Sequence, residues 1–285
     1  MEIQWYPGHM TKARRAMESD IKLVDLIIEL VDARLPQSSR NPDIDRMGQN
    51  KARLILLNKA DLADERANRE WEQHFASQGY LVVVCNAKSG AGRNQIQEAI
   101  REACKEKLER DRRRGIQNRP IRAMVVGIPN VGKSTLINTF ARKAAAKTGN
   151  KPGVTKGNQW IRLNREVELL DTPGILWPKF EDQQVGLRLA LVGSINDQIL
   201  NLTELAWEGI HYMTAHYPGA ITERYGVPEE GKSHEILEAV ARARGCIRKG
   251  GVPDTDKAAQ LFLDELRNGK LGRFSLEWPE VEQVG

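Results

Sequence analysis

The chain has 285 residues, 40% hydrophobic and 28% charged, which allows about two domains and excludes the composition of a disordered chain. Its three cysteines (Cys85, Cys104, Cys246) are odd in number and lack zinc spacing, so neither a disulfide scaffold nor a zinc module is expected, and they read as reduced thiols. The net charge of +5 is uneven: from Glu181 onward there are 11 Lys and Arg against 17 Asp and Glu, leaving the first 180 residues 32 basic and 21 acidic side chains. A basic front half suits a polyanionic partner, or solubility alone.

The N-terminal segment Met1 to Arg15 lacks the apolar core of a secretory signal, and no apolar run reaches the ~20 residues of a membrane span, so a cytoplasmic location without membrane contact is expected. Short apolar runs follow at Leu26–Val31, Leu54–Leu57, Leu81–Cys85, Ala123–Val126 and Val167–Leu170. They alternate with amphipathic stretches at Asp64–Ser77, Arg93–Arg110 and Lys133–Arg142. Runs buried on both faces and separated by helices predict an α/β fold with a mostly parallel sheet. Gln159–Asn164 and Glu166–Asp171 flank a turn and predict one antiparallel hairpin; Asp111–Arg122, with Gly115 and Pro120, reads as a connector. After about Phe180 the strand signals stop. Gln183–Ile195, Leu200–Thr214, Ser233–Arg244 and Thr255–Asn268 look helical, with Ser233 and Thr255 as N-caps. The expected division is an α/β domain over 1–180 and an all-α domain over 181–285.

The first chemical motif in the chain is Asn58-Lys59-Ala60-Asp61, at the end of an apolar run. A carboxylate at Asp61 accepts two hydrogen bonds from N1–H and the exocyclic amine of guanine, a donor pair adenine lacks. Asn58 is expected at the purine edge, with the stem of Lys59 on the ring; a helix-capping role for Asp61 is the alternative. Asn86-Ala87-Lys88 ends the next run and is similar to the SAK loop of GTPases, with Asn86 in place of serine and the Ala87 N–H expected on guanine O6.

Gly127-Ile-Pro-Asn130-Val131-Gly132-Lys133-Ser134, followed by Thr135, matches GxxxxGK(S/T) between a strand and a helix. Its glycines let backbone N–H groups converge on phosphate, where the helix N-terminus adds positive potential. Lys133 is expected at the β- and γ-phosphates and the Ser134 hydroxyl at magnesium. Asp171-Thr-Pro-Gly174 ends a later run: Asp171 would hold magnesium, mostly through water, and the Gly174 N–H would sense the γ-phosphate. Thr155 offers the second magnesium hydroxyl, or opens a strand.

These motifs stand in permuted order, with the guanine-reading pair ahead of the phosphate loop. Asp111–Arg122 would join the old termini. The permutation, the opening Trp5-Tyr-Pro-Gly-His9-Met10, and the PNVGKST and DTPGILWPKF motifs together resemble the bacterial ribosome biogenesis GTPase A family, also called YlqF. The resemblance covers essentially the whole chain. It implies a GTP hydrolase that binds a precursor of the large ribosomal subunit, promotes its late maturation, is stimulated by that particle, and contacts ribosomal RNA through a helical tail; ribosomal proteins are expected as further partners, and a monomer as the acting form. An RNA-binding module that holds nucleotide with negligible turnover is the competing reading. A third reading is the permuted class that acts on the small subunit. It fails on the missing zinc ligands and on a leader too short for an OB barrel.

Ile175 occupies the position where many GTPases carry a water-orienting glutamine. The resemblance points to His9 as the replacement, with a structural or RNA-contacting role as the alternative. Asn130 is the position where similar GTPases bind potassium beside the phosphates; a simple loop turn is the other reading. Lys12, Arg14 and Arg15, the connector arginines (Arg110, Arg112, Arg113, Arg114, Arg119, Arg122), and Arg242, Arg244, Arg248 and Lys249 form the candidate RNA surface, or a solvated face.

Overall fold

The computed structural model describes residues 10–116, 119–148, 159–172 and 182–279. They divide into two compact units. An α/β unit contains the described residues up to Thr172 together with Ser275–Pro279, and a helical unit spans the described residues from Asp182 to Phe274.

The α/β unit opens with α1 (Met10–Asp20), β1 (Leu26–Asp32), α2 (Pro42–Met47), β2 (Ala52–Asn58), α3 (Glu65–Ser77) and β3 (Leu81–Val84). It continues with α4 (Arg93–Ala103), α5 (Lys105–Arg113), β4 (Ile121–Val126), α6 (Lys133–Thr148), β5 (Gln159–Arg162) and β6 (Val167–Asp171). The strands form one sheet in the order β3-β2-β1-β4-β6-β5. Pairing is parallel throughout except for the β5–β6 hairpin. The five expected strands, their parallel sense and the hairpin are as the sequence predicts. Branched residues fully buried on both faces stabilise this arrangement by about 1.5–3 kcal/mol each. Met17, Ile21, Ile27, Ile44, Met124, Val126 and Leu170 pack as one core cluster; Val31, Ile55, Leu57, Ala67, Trp71 and Phe75 pack as another.

The register matters for function. Asp32 pairs with Asn58, Leu57 with Val84, Glu29 with Val126, and Val125 with Asp171. The carboxyl ends of all five parallel strands therefore reach the same edge. The chain turns from the β1-β2-β3 half to the β4-β6 half between β1 and β4. That is the switch point where open α/β sheets bind ligands.

Several expected boundaries change. The helix expected over Arg93–Arg110 is two helices, separated at Cys104, where ψ of 11° leaves the helical ladder. The connector expected over Asp111–Arg122 is helical at its start, because Lys107 and Asp111 form an i,i+4 pair at 2.9 Å that carries α5 to Arg113. Its far end belongs to β4.

The helical unit contains α7 (Gln183–Leu191), α8 (Leu202–His216), α9 (Ala220–Tyr225), α10 (Ser233–Ala243) and α11 (Thr255–Arg267). α7 stops short of Ile195 because Gly193 takes φ of 78° and Ser194 N–H closes on Leu189 O at 2.9 Å. Caps sit one residue ahead of those expected. Asp254, not Thr255, accepts from Lys257 N–H, and Lys232 stands before Ser233, with its N–H on the Glu235 carboxylate. α8 packs on α7, α10 and α11, and Gly209 lets Leu191 and Phe262 approach to about the limit of contact. Arg267 donates to Ala190 O and Leu191 O and holds Asp197 in a two-pronged ion pair, tying α11 to the end of α7.

The expected boundary at 181–285 changes at its far end. Ser275–Pro279 leave the helical unit and belong to the α/β unit, bound by long-range hydrogen bonds that no local pattern announces.

Candidate nucleotide site

The phosphate loop leaves β4 at Gly127 and enters α6 at Lys133. Gly127 is required by close approach: a Cβ there would stand 2.7 Å from Leu30 O. Gly132 has φ of +102°, and its missing side chain leaves room for the amide of Asn58. Asn130 adopts φ of 59°, a left-handed conformation that asparagine tolerates better than most residues. Val131 is buried beneath the loop, whereas Ser134 and Thr135 are exposed in the first turn of α6. A row of backbone N–H groups at a helix N-terminus is the arrangement that binds phosphate.

Lys133 is buried, and its ammonium donates to the carbonyl of Thr172. Burial pushes its pKa down, partly offset by the nearby Asp171 carboxylate. Thr172 is anchored in turn, its hydroxyl donating to Val125 O at 2.7 Å. The start of the Asp171-Thr-Pro-Gly174 motif is thus locked to the strand that feeds the phosphate loop. The Ser134 hydroxyl and the Asp171 carboxylate are hard oxygen donors, the chemistry that suits magnesium. Among the described residues no cluster of three or more His, Cys, Asp or Glu offers a different metal site.

The guanine-side loops meet the phosphate loop through one residue. Asn58, 2% exposed at the end of β2, donates from Nδ2 to Val131 O at 2.8 Å. Its Oδ1 accepts the Ala87 N–H at 2.8 Å. One side chain therefore joins three loops drawn from both halves of the permuted order. Asn58 thus braces the loops, while its Nδ2 carries a second N–H that is compatible with the purine-edge role expected of it; the Ala87 N–H, expected on guanine, is directed at Asn58 here. Thr139 of α6 adds a second tie, its hydroxyl donating to Ala87 O at 2.8 Å.

Lys59 follows with φ of 60°, and its Nζ reaches Asp32 Oδ2 at 3.0 Å. Asp61 is exposed in the turn after it, and the cap of α3 is Asp64, not Asp61. That leaves the Asp61 carboxylate clear of the capping role. Asn86 forms an Asx turn, its Oδ1 accepting from Lys88 N–H at 2.9 Å and Ser89 N–H at 3.1 Å, which orders the loop around Ala87. Lys88 is exposed.

Sequence reasoning missed Asp32. It is fully buried at the end of β1 and is held by Arg34 Nε and Nη2 at 2.9 and 2.8 Å and by Lys59. Burial alone would raise its pKa, but the two cations win and hold the carboxyl well below the usual range. The available signal was a carboxylate at the end of a strand whose other residues, Glu29 apart, are apolar.

His9, Thr155 and Gly174 lie outside the described residues, as do Trp5, Tyr6, Trp177 and Ile175. Lys12 and Arg14 fall on α1, with side chains outside the described set; Arg15 is exposed. On α5 and just after it, Arg110, Arg112, Arg113 and Arg114 form an exposed basic run. Arg119 lies 3.8 Å from Asp25, and Arg122 stacks over Trp160. In the helical unit the cluster is internally paired. Arg242 faces Glu238, Arg244 lies over the Tyr225 ring, and Arg248 bridges Asp254 and Asp256 at 3.1 and 2.8 Å. Lys249 is exposed.

A family described as "50S ribosome-binding GTPase" matches residues 122–236. The chain is 52% identical to Ribosome biogenesis GTPase A of Bacillus cereus, over 100% of this chain and 97% of that protein. It is 36% identical to the protein of that name from Thermotoga maritima, over 98% and 95% of the two chains. Among solved structures, GNP-bound YlqF from T. maritima superposes with a TM-score of 0.68 at 32% identity, covering 94% of this chain and 99% of that one. A GDP-bound YlqF structure gives 0.69 at 31% identity, covering 94% and 100%.

Proposed function

The chain belongs to the ribosome biogenesis GTPase A family, and we propose that it binds an immature large ribosomal subunit in its GTP form, promotes late maturation, and is released when the particle stimulates hydrolysis. The chain is a P-loop GTPase with a role in ribosome biogenesis, GTP is its substrate, and magnesium is the usual companion ion. The observation that carries the proposal is Asn58, whose amide draws the base-side and phosphate-side loops to one strand edge.

In this reading Asp61 accepts from the guanine edge, the stem of Lys59 covers the ring, and the Asn86-Ala87-Lys88 loop closes the far side. The N–H groups of Val131 through Thr135 bind phosphate oxygens, and Lys133 leaves the Thr172 carbonyl to neutralise the β- and γ-phosphates. Ser134, Asp171 and Thr155 would hold magnesium, which when bound supplies charge neutralisation at the leaving phosphate. Gly174 reports the γ-phosphate. His9 orients the attacking water, the task Ile175 cannot perform. Asn130, with its carbonyl-bearing side chain at the loop crest, suits a potassium ion beside the phosphates.

The exposed arginines of α5, with Lys12, Arg14 and Arg15, form the favoured RNA-contacting surface in the cytoplasm. Arg242, Arg244 and Arg248 can join only by exchanging their present partners for phosphate, whereas Lys249 is already exposed. Surface ion pairs are worth little, so that exchange is affordable. Nothing in this reading requires a second copy, so a monomer is expected to act.

The test is GTP hydrolysis by the full chain with and without purified large ribosomal subunits. The expected result is stimulation of at least tenfold by mature or immature large subunits and none by small subunits. No stimulation would leave a nucleotide-holding RNA-binding module and would sink the release step.

A further inference from the structure

Behind the guanine-side turn lies a chain of contacts that nucleotide chemistry does not use directly. Lys59 is fixed by Asp32, and Asp32 is gripped by the Arg34 guanidinium and the Arg34 N–H. Arg34 is only 1% exposed, and its carbonyl accepts the Leu276 N–H at 2.6 Å. Leu276 belongs to the segment that returns from the helical unit's sequence to the α/β unit. Its neighbours grip the same two loops. Glu277 accepts from Ser38 N–H at 2.9 Å and from Ser38 Oγ at 2.6 Å, on the loop after β1. Ser275 Oγ accepts the Asp64 N–H at 3.2 Å, on the loop after β2 that carries Asp61. The Trp71 indole donates to Glu277 O at 3.1 Å. Ser275, Leu276 and Glu277 are all buried, two of them polar residues whose burial is sustained by these bonds.

We propose that Asp32, together with the C-terminal strap Ser275–Glu277, positions the Asn58–Asp61 turn for guanine recognition, so that nucleotide affinity depends on residues at the opposite end of the chain from the motif. This rests on the reading of Asn58–Asp61 as the guanine-side turn. The physical reason is the left-handed backbone at Lys59. Such a conformation is unfavourable for a lysine and persists where its surroundings over-determine it. The Asp32 contact pins its side chain, and the strap pins the loops before and after it. Loss of either lets the turn relax to commoner backbone angles, and binding then has to restore the reading conformation. Coupling of this kind is reciprocal, so bound nucleotide must also steady the strap.

The experiment uses full-length protein and mant-labelled GDP and GTP, with ADP as the base control. Asp32→Asn keeps shape and removes the charge on Lys59; the expected loss is about tenfold in affinity for GDP and GTP alike. Glu277→Ala, remote from any nucleotide atom, is expected to weaken both about threefold or more. Glu29→Gln is the control. It breaks a buried carboxylate on the same strand that pairs with Arg40 and Arg53, so it should lower the melting temperature and leave affinity within twofold. Hydrogen exchange on the wild-type chain gives a readout independent of any variant: saturation with GDP should slow the Leu276 amide.

Wild-type protein that fails to prefer GDP over ADP overturns the guanine-side reading and the proposal with it. With that preference intact, unchanged affinity in folded Asp32→Asn and Glu277→Ala, or a Leu276 amide indifferent to GDP, overturns the positioning proposal alone.

Discussion

Asp61 stands in an exposed turn with its carboxylate clear of the cap that Asp64 supplies to α3. Exchanging that carboxylate for an amide leaves one acceptor and creates one donor, which no longer fits the N1–H and amine of guanine but does fit the 2-oxo group of xanthine. Asp61→Asn is therefore expected to lose about a hundredfold or more in GTP affinity and to gain binding of xanthosine triphosphate, checked by competition against labelled GDP. Lys133 makes a different statement. Its ammonium is buried and donates to the Thr172 carbonyl, so phosphate must displace that carbonyl. Lys133→Ala should cost about a hundredfold or more in hydrolysis, measured under single turnover, because a preorganised positive charge at the reacting phosphates is lost. These two residues were legible in the sequence because each sits in a short motif at a strand end. Asp32 was not. Its role comes from contacts with Arg34 and Lys59, and only the second belongs to a motif.

Among the elements, the parallel strands were legible because residues buried on both faces leave continuous apolar runs, as in Leu54–Leu57 and Ala123–Val126. Helix ends were less so. Cys104 breaks what reads as one helix, with neither glycine nor proline to announce it, and α9 is a six-residue helix between left-handed glycines. α9 and α11 are joined by Arg224 and Glu265, whose carboxylate is drawn down to about 2 by the Arg224 hydrogen bonds. The ordinary value is 4.5, so the folded form binds this proton less readily than the unfolded chain. The stabilisation is thus full above about pH 4.5 and is lost as pH falls toward 2. Thermal melts of Glu265→Gln should show a lower melting temperature than wild type at pH 7 and a smaller gap at pH 3. An equal gap at both would show that the ion pair contributes nothing specific to the helical unit.

For the whole molecule, sequence order and spatial order disagree in two places. The first, guanine-side motifs ahead of the phosphate loop, was readable, since β1 and β4 are each competent strands and their adjacency needs only a connector. The second, the return of Ser275–Pro279 to the α/β unit, was not. It depends on pairs more than two hundred positions apart, Asp64 with Ser275 and Ser38 with Glu277, and leaves no periodic trace. The uneven charge has a structural counterpart in the exposed arginines of α5, whereas in the acidic helical unit Arg242 and Arg248 are paired with its own carboxylates. No helix among the described residues is long and apolar enough to cross a membrane.

Guanine-nucleotide binding at the strand edge underlies each of these roles, and isothermal calorimetry of the full chain with GDP, GTP, ADP and ATP in the presence of magnesium tests it most directly. The expected result is a single site for GDP and GTP with at least a hundredfold preference over the adenine nucleotides. Equal affinity for ADP and GDP, or no heat with either guanine nucleotide, would contradict it.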